Sequence, residues 1–160
     1  MRLTAQQLHE CVGWEARYTA PEPIGAAAIR YFALAIDDRN PLYVDADAAR
    51  RAGYAAVIAP PTLICETNQH MARRPDRNGY IGHSWDLGLE DCRWVRGGNE
   101  YEFGRPLGPS DIVTVAWRLV EAANKTSRSG EEMVMILSEA TYVDQTGEFL
   151  ARNLETMFYF

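Results

Sequence analysis

The chain has 160 residues, 47% of them hydrophobic and 24% charged, enough for one buried core and ordinary for a globular protein. A formal charge of -6 and an isoelectric point near 5.1 argue against a nucleic-acid partner, because affinity for a phosphate backbone rests on clustered Lys and Arg. No run approaches the roughly 18 apolar residues of a membrane span, and the opening MRLTAQQLHECVGWE lacks the basic and apolar blocks of a secretory signal, so no membrane partner and a cytoplasmic location are expected.

In chain order, the first helical pattern lies in Pro21 to Asp38, where Ile29, Phe32, Ala33 and Ile36 recur at helical spacing; the helix is predicted to end near Asp37. After the loop Arg39-Asn40-Pro41, a short helix is predicted over Asp45 to Gly53, with Asp45 as N-cap and Gly53 as the terminating glycine. The apolar run Tyr54 to Ala59 stops at Pro60-Pro61. Thr62 to Ala72 then reads as a second main helix with Leu63, Ile64, Thr67 and Met71 on its buried side. Downstream the period changes to alternation. A strand is predicted at Asn99 to Phe103, a turn at Pro106 to Pro109, and a strand over Asp111 to Asn124 with Val113, Val115, Trp117 and Leu119 on one face. Strands at Met133 to Asp144 and Phe149 to Phe160 follow, joined by the turn Asp144-Gln145-Thr146-Gly147. Helices first and strands later, with no linker and no repeat, read as one α+β domain over 1-160. Cys11, Cys65 and Cys92 have no CxxC or Cys/His spacing and read as reduced thiols, so neither a zinc site nor a disulfide framework is expected.

The segment Tyr31 to Leu63, YFALAIDDRNPLYVDADAARRAGYAAVIAPPTL, is the informative one. It resembles the motif of MaoC-like (R)-specific enoyl-CoA hydratases, which runs approximately A-x-x-G-D-x-N-P-[IL]-H-x-D, then a small helix, then I-A-H-G-x-L. Asp38, Asn40, Pro41, Leu42 and Asp45 fall on motif positions, whereas Tyr43 stands for the motif histidine and Pro60-Pro61 for its His-Gly pair. A second block, Gly97 to Phe103 with Arg105-Pro106 and Pro109-Ser110-Asp111, resembles that family's strand entering an R-P-x-x-P-G-D turn. The version with NPLY and APPT is similar to the N-terminal-type half of MaoC-like dehydratases, related to the dehydratase part of type I fatty acid synthases.

This resemblance implies a hotdog fold, a curved antiparallel sheet wrapped around a long central helix. It also implies the hydration of an enoyl thioester, or the reverse loss of water from a 3-hydroxyacyl thioester, with an Asp/His dyad holding the water and a backbone N–H at the start of the central helix binding the thioester oxygen. The candidates are Asp38 and Tyr43 from the motif for catalysis, with His83 added as the histidine best placed in a polar loop, and Asn40, Pro61 and Thr62 along the substrate. The dyad is degenerate here: a phenol, of ordinary pKa about 10, is a poor base near neutrality, and proline has no N–H to offer. The expected role is therefore that of a subunit shaping the acyl pocket beside a MaoC-like sister chain, or within a homodimer. The substrate is a coenzyme A or acyl-carrier thioester, with no metal or redox cofactor. Two alternatives stay open: a self-sufficient hydro-lyase using Asp38 with Tyr43 or His83, and a non-catalytic acyl-thioester-binding scaffold.

Single residues carry plainer readings as well. Asp38 is also a turn and capping residue, and Asn40-Pro41 a turn initiator. Tyr43 is equally a half-buried packing aromatic. His83 lies in a polar stretch beside Ser84 and Asp86, but sequence neighbours do not make a triad. Trp85, Trp94 and Trp117 fit either an acyl tunnel or the core. Arg73, Arg74 and Arg77 suit either coenzyme phosphates or a solvated helix end.

Overall fold

The computed structural model describes residues 3–71, 73–76 and 79–160, with the side chains of Glu66, Asn68, Gln69 and His70 not described. Arg77 and Ala72, both named above, lie outside the described residues. Helix α1 (Ala5–Cys11) opens on a reciprocal cap: Thr4 Oγ1 accepts from Gln7 N, and Thr4 N donates to Gln7 Oε1. Strand β1 (Glu15–Thr19) follows.

Helix α2 (Ala26–Ala35) occupies the centre of the predicted span and buries Ile29 and Ala33 completely. Ile36, predicted on the same face, is 47% exposed. The reason is the helix stop. Asp37 adopts a left-handed conformation (φ 52°), its N–H bonds to Leu34 O, and Asp38 N bonds back to Ala33 O at 2.9 Å. This Schellman arrangement turns the chain away before Ile36 can reach the core. A single 3-10 turn, Pro41–Tyr43, and helix α3 (Ala46–Arg51) come next, α3 being capped as expected by Asp45, whose Oδ1 accepts from Asp47 N and Ala48 N.

The second main helix is found at Pro61–His70, wound in 3-10 rather than α turns. Leu63, Ile64, Thr67 and Met71 are nevertheless buried as the periodicity predicts. The tighter winding has a local cause in the sequence. The segment starts on Pro60-Pro61, carries β-branched Thr62, Ile64 and Thr67, and Thr67 Oγ1 donates to the carbonyl three residues back, Ile64 O, at 2.7 Å.

Five antiparallel strands form one sheet in the order β1-β3-β4-β5-β2. The predicted strands appear as β3 (Thr114–Thr126), β4 (Glu132–Val143), β5 (Phe149–Tyr159) and the second half of β2 (Trp94–Phe103). Register shifts at Leu119/Glu121, Tyr142/Val143 and Arg96/Gly98 are the bulges that let so long a ladder bend. The sheet's inner face packs Val113, Val115, Trp117, Tyr142 and Ala151 against Leu63, Ile64 and Met71. Leu119, Val134 and Ile136 pack against Leu8 and Cys11 of α1. A fully buried side chain of this size contributes about 1.5–3 kcal/mol, so the N-terminal helix is an integral part of the core.

Candidate active site

The motif loop is built by a chain of local hydrogen bonds. Asp38 Oδ1 accepts from Asn40 N at 3.1 Å, Asn40 Oδ1 accepts from Leu42 N at 3.1 Å, and Tyr43 N donates to Asn40 O. Leu42 O then receives Ile58 N at 3.0 Å, which draws the loop beside the segment leading to Pro60-Pro61. Ala59 N donates to Leu107 O at 2.8 Å and so ties that segment to the turn after β2. Asp38 and Asn40 are half-buried, and each carboxyl or amide oxygen used in the loop is spent on the backbone.

Where these segments meet, an apolar cleft of about 120 Å³ opens, walled by Tyr43, Pro61, Ile64, Phe103, Leu107 and Leu150. Tyr43 is buried, 8% exposed, in the same cluster as Leu63, Ile64 and Leu150. Gly104 is part of the wall, and a side chain there would strike the Phe149 carbonyl oxygen at 2.5 Å. Of the six residues that the sequence singles out, Tyr43 and Pro61 line the cleft. Asp38 and Asn40 sit in the loop just before it, and Thr62 follows Pro61 at the surface. Of the other wall residues, Phe103 ends β2 and Leu150 lies at the start of β5, neighbours across the β2–β5 ladder, and Leu107 lies in the turn after β2.

In the wall of the cleft, Arg105 is held by three carboxylates: a two-pronged contact to Asp111 at 2.7 and 2.9 Å, Asp144 at 2.6 Å and Glu148 at 2.8 Å. Asp111 raises the guanidinium pKa most. The hydroxyl of Thr146 and the backbone of Glu148 help hold the Asp144 carboxyl well below the usual range. With its charge met on every side, Arg105 fixes the turn and offers nothing to a ligand.

His83 does not line the cleft. Its Nδ1 is 2.9 Å from Tyr18 Oη, its ring stacks on Trp117 at 4.8 Å and meets Trp85 edge-on at 4.2 Å. Trp85 Nε1 donates to Ser138 Oγ at 2.9 Å. Arg73 lies over the Tyr18 ring at 4.7 Å and donates to Gly82 O. Burial first, and Arg73 second, push the His83 pKa down to about 3. The folded chain thus keeps this imidazole neutral while the unfolded chain protonates it near the ordinary value. Between pH about 6.5 and about 3, stability should fall with falling pH by about 1.4 kcal/mol per unit. His83→Phe keeps the stack and removes the titration. Urea unfolding at pH 7 and pH 5 should show wild type losing about 2 kcal/mol more than the variant, and equal losses would refute the assignment.

Among the described residues no cluster of His, Cys, Asp and Glu suits a metal ion, and no helix is long and apolar enough to cross a membrane.

Residues 10–153 match the family described as FAS1-like, dehydratase domain region. The UPF0336 protein of Streptomyces griseus is 36% identical over 131 residues, covering 82% of this chain and 80% of the relative. Among solved structures, the ChsH1-ChsH2 complex from Mycobacterium tuberculosis superposes with a TM-score of 0.75 at 24% identity, over 98% of this chain and 88% of that one. The MaoC-like dehydratase from Rhodospirillum rubrum gives 0.66 at 21% identity, over 99% and 97%. The C-terminally truncated HadBC (3R-hydroxyacyl-ACP dehydratase) complex from Mycobacterium tuberculosis gives 0.68 at 16%, over 92% and 96%. At such identities the structural likeness is one of fold, the hotdog of MaoC-like proteins, and with the family match it places this chain in the FAS1-like dehydratase-region family.

Proposed function

We propose that this chain is the pocket-forming member of an enoyl-thioester hydratase, equally a 3-hydroxyacyl-thioester dehydratase, whose Asp/His pair is supplied by a MaoC-like sister chain. The observation that carries this reading is the cleft itself: it sits where the motif loop meets the helix start, yet its wall presents Tyr43 and Pro61 in place of histidine and glycine. Apolar walls orient an acyl chain and exclude water. They do not move protons. In the reaction, the water oxygen bonds to Cβ and gives up a proton while the π pair of Cα=Cβ takes up a proton at Cα, the carbon–carbon σ bond staying intact, and the sister chain's dyad would place that water and relay those protons. An apolar cavity of about 150 Å³ takes a benzene ring, so the cleft suits a short hydrocarbon stretch of a coenzyme A or acyl-carrier thioester. The family match and the ChsH1-ChsH2 and HadBC complexes, each named for two chains, support the reading.

A self-sufficient enzyme is less well supported, because Asp38 Oδ1 is engaged by Asn40 N and His83 by Tyr18, and neither Asp38 nor His83 lines the cleft. Co-expression with a MaoC-like chain bearing the intact motif should give a complex containing both chains, with hydration of crotonyl-CoA faster than either chain alone. A complex with no gain in rate would make the chain a binding scaffold. Failure to associate with any such chain would overturn the proposal.

A further inference from the structure

Two side-chain atoms are shut off from solvent and have no hydrogen-bond partner among the described residues: Asn153 Oδ1 and His83 Nε2. Asn153 is 2% exposed, and its amide is anchored by the nitrogen alone, which donates to Asn99 Oδ1 at 3.0 Å. His83 spends its other ring nitrogen, Nδ1, on Tyr18 Oη. An unpaired polar atom out of water costs stability, and one that a fold retains calls for a reason.

The sheet register brings the two side chains together. Across the inner face, one row runs Trp117, Ala140, Asn153, Tyr101 from β3 to β2. His83 is stacked on Trp117, the first of these, and Asn153 is the third. The orphan atoms thus belong to side chains on either side of Ala140, which puts only a methyl group between them. Trp85 bounds the place along β4: it meets His83 edge-on and donates to Ser138, two residues before Ala140 on the same face. The adjacent row, Tyr142, Ala151 and Phe103, reaches the cleft, because Phe103 is part of its wall and stacks on Tyr101 at 5.4 Å. The polar row therefore lies two residues, about 7 Å, beyond that wall along the strands.

The chemistry of the pair selects one group. A phenol donates more readily than it accepts, so Tyr18 supplies the proton to Nδ1 and the ring's own proton stays on Nε2. Nε2–H is then a donor, Asn153 Oδ1 only accepts, and an alcohol hydroxyl serves both. A ketone accepts alone and leaves Oδ1 unpaired. A carboxylate or ammonium would be buried without a counter-ion, since burial keeps His83 uncharged and Glu155, opposite Ser138, is already paired with Arg96 at 3.1 Å. Resting on the reading of the cleft as an acyl pocket, we infer that Asn153 and His83 form a polar subsite beyond it, which selects acyl chains bearing a hydroxyl group remote from the thioester.

Isothermal titration of the full chain tests this with hexanoyl-, octanoyl- and decanoyl-CoA, each plain or with a hydroxyl or keto group on its penultimate carbon. At the length that reaches the pair, the hydroxyl should tighten binding about tenfold, the gain from one or two buried hydrogen bonds, and the ketone by less than about threefold. Asn153→Leu, which keeps the volume, and His83→Phe, which keeps the stack, should each bring the alcohol and the plain chain within about twofold of one another. Circular dichroism checks the fold of each, and either variant alone suffices. Equal affinities of alcohol and plain chain at every length would mean that the pair holds water only and would overturn the inference. So would a ketone gaining as much as the alcohol, or a preference that survives the substitutions. The acyl-pocket reading fails by a different result, plain acyl-CoA binding no tighter than coenzyme A itself, and the subsite falls with it.

Discussion

Assayed alone, the chain is expected to hydrate crotonyl-CoA at least about a thousandfold more slowly than a complex containing an intact Asp/His pair. Two deficits combine. Removing one preorganised oxyanion donor typically costs about two to three powers of ten, and Pro61, at the start of the 3-10 helix and in the cleft wall, has no N–H to give. Absence of a matched acid/base group costs about two to four powers more, and Tyr43 is the residue that occupies the histidine position. These effects overlap when groups act as a unit, which is why the expectation is set at the lower end rather than at their product. A purified single chain turning over at about 10 per second, an ordinary enzyme rate, would contradict it. The measurement needs a preparation free of host hydratases, for which a mock purification from the same host without this chain serves as the background control.

What the sequence disclosed depended on whether the controlling interaction is local. Helix α3, with its Asp45 cap and Gly53 stop, and the three C-terminal strands follow from residues within a few positions of one another. The cap of α1 was equally local, written as Thr4 and Gln7, and only the short lengths of α1 and β1 hid them. The first half of β2 was obscured because Gly97 and Gly98 interrupt alternation, and the bulge they form is defined by β5 across the sheet. The end of α2 is instructive. The family motif has glycine just before the aspartate, at the position where this chain has Asp37 in a left-handed conformation, and that is the backbone geometry glycine usually serves. The RPxxPSD block likewise acquires its reason only in three dimensions, where Arg105 grips Asp111 from across a turn and Asp144 and Glu148 from the β4–β5 connection. The cleft was half legible. Tyr43 and Pro61 came from the motif, whereas Phe103 and Leu150 become neighbours only through the β2–β5 ladder, and His83, in a stretch that reads as polar, is half-buried against Trp85 and Trp117.

In an assembled complex, Asp38→Ala should lower the hydration rate by less than about tenfold, whereas replacing the sister chain's motif aspartate should cost about two to four powers of ten. The argument rests on what Asp38 does in the fold. Its N–H closes the Schellman stop of α2 on Ala33 O, and its Oδ1 accepts from Asn40 N, so both of these groups serve the turn that leads into the motif loop. The substitution leaves the first bond intact and removes the second, a loss comparable to that of a helix cap, about 0.5–2 kcal/mol of stability. Urea unfolding of the isolated chain reads that term separately from the rate. The two measurements distinguish a turn residue from a proton donor, since a turn residue moves the unfolding midpoint and barely moves turnover, while a catalytic carboxylate does the reverse. Should Asp38→Ala abolish hydration about a thousandfold with folding and assembly intact, the chemistry would lie on this chain, and a proton-relay partner would have to be sought in Tyr43 with Tyr43→Phe and in His83 with His83→Ala.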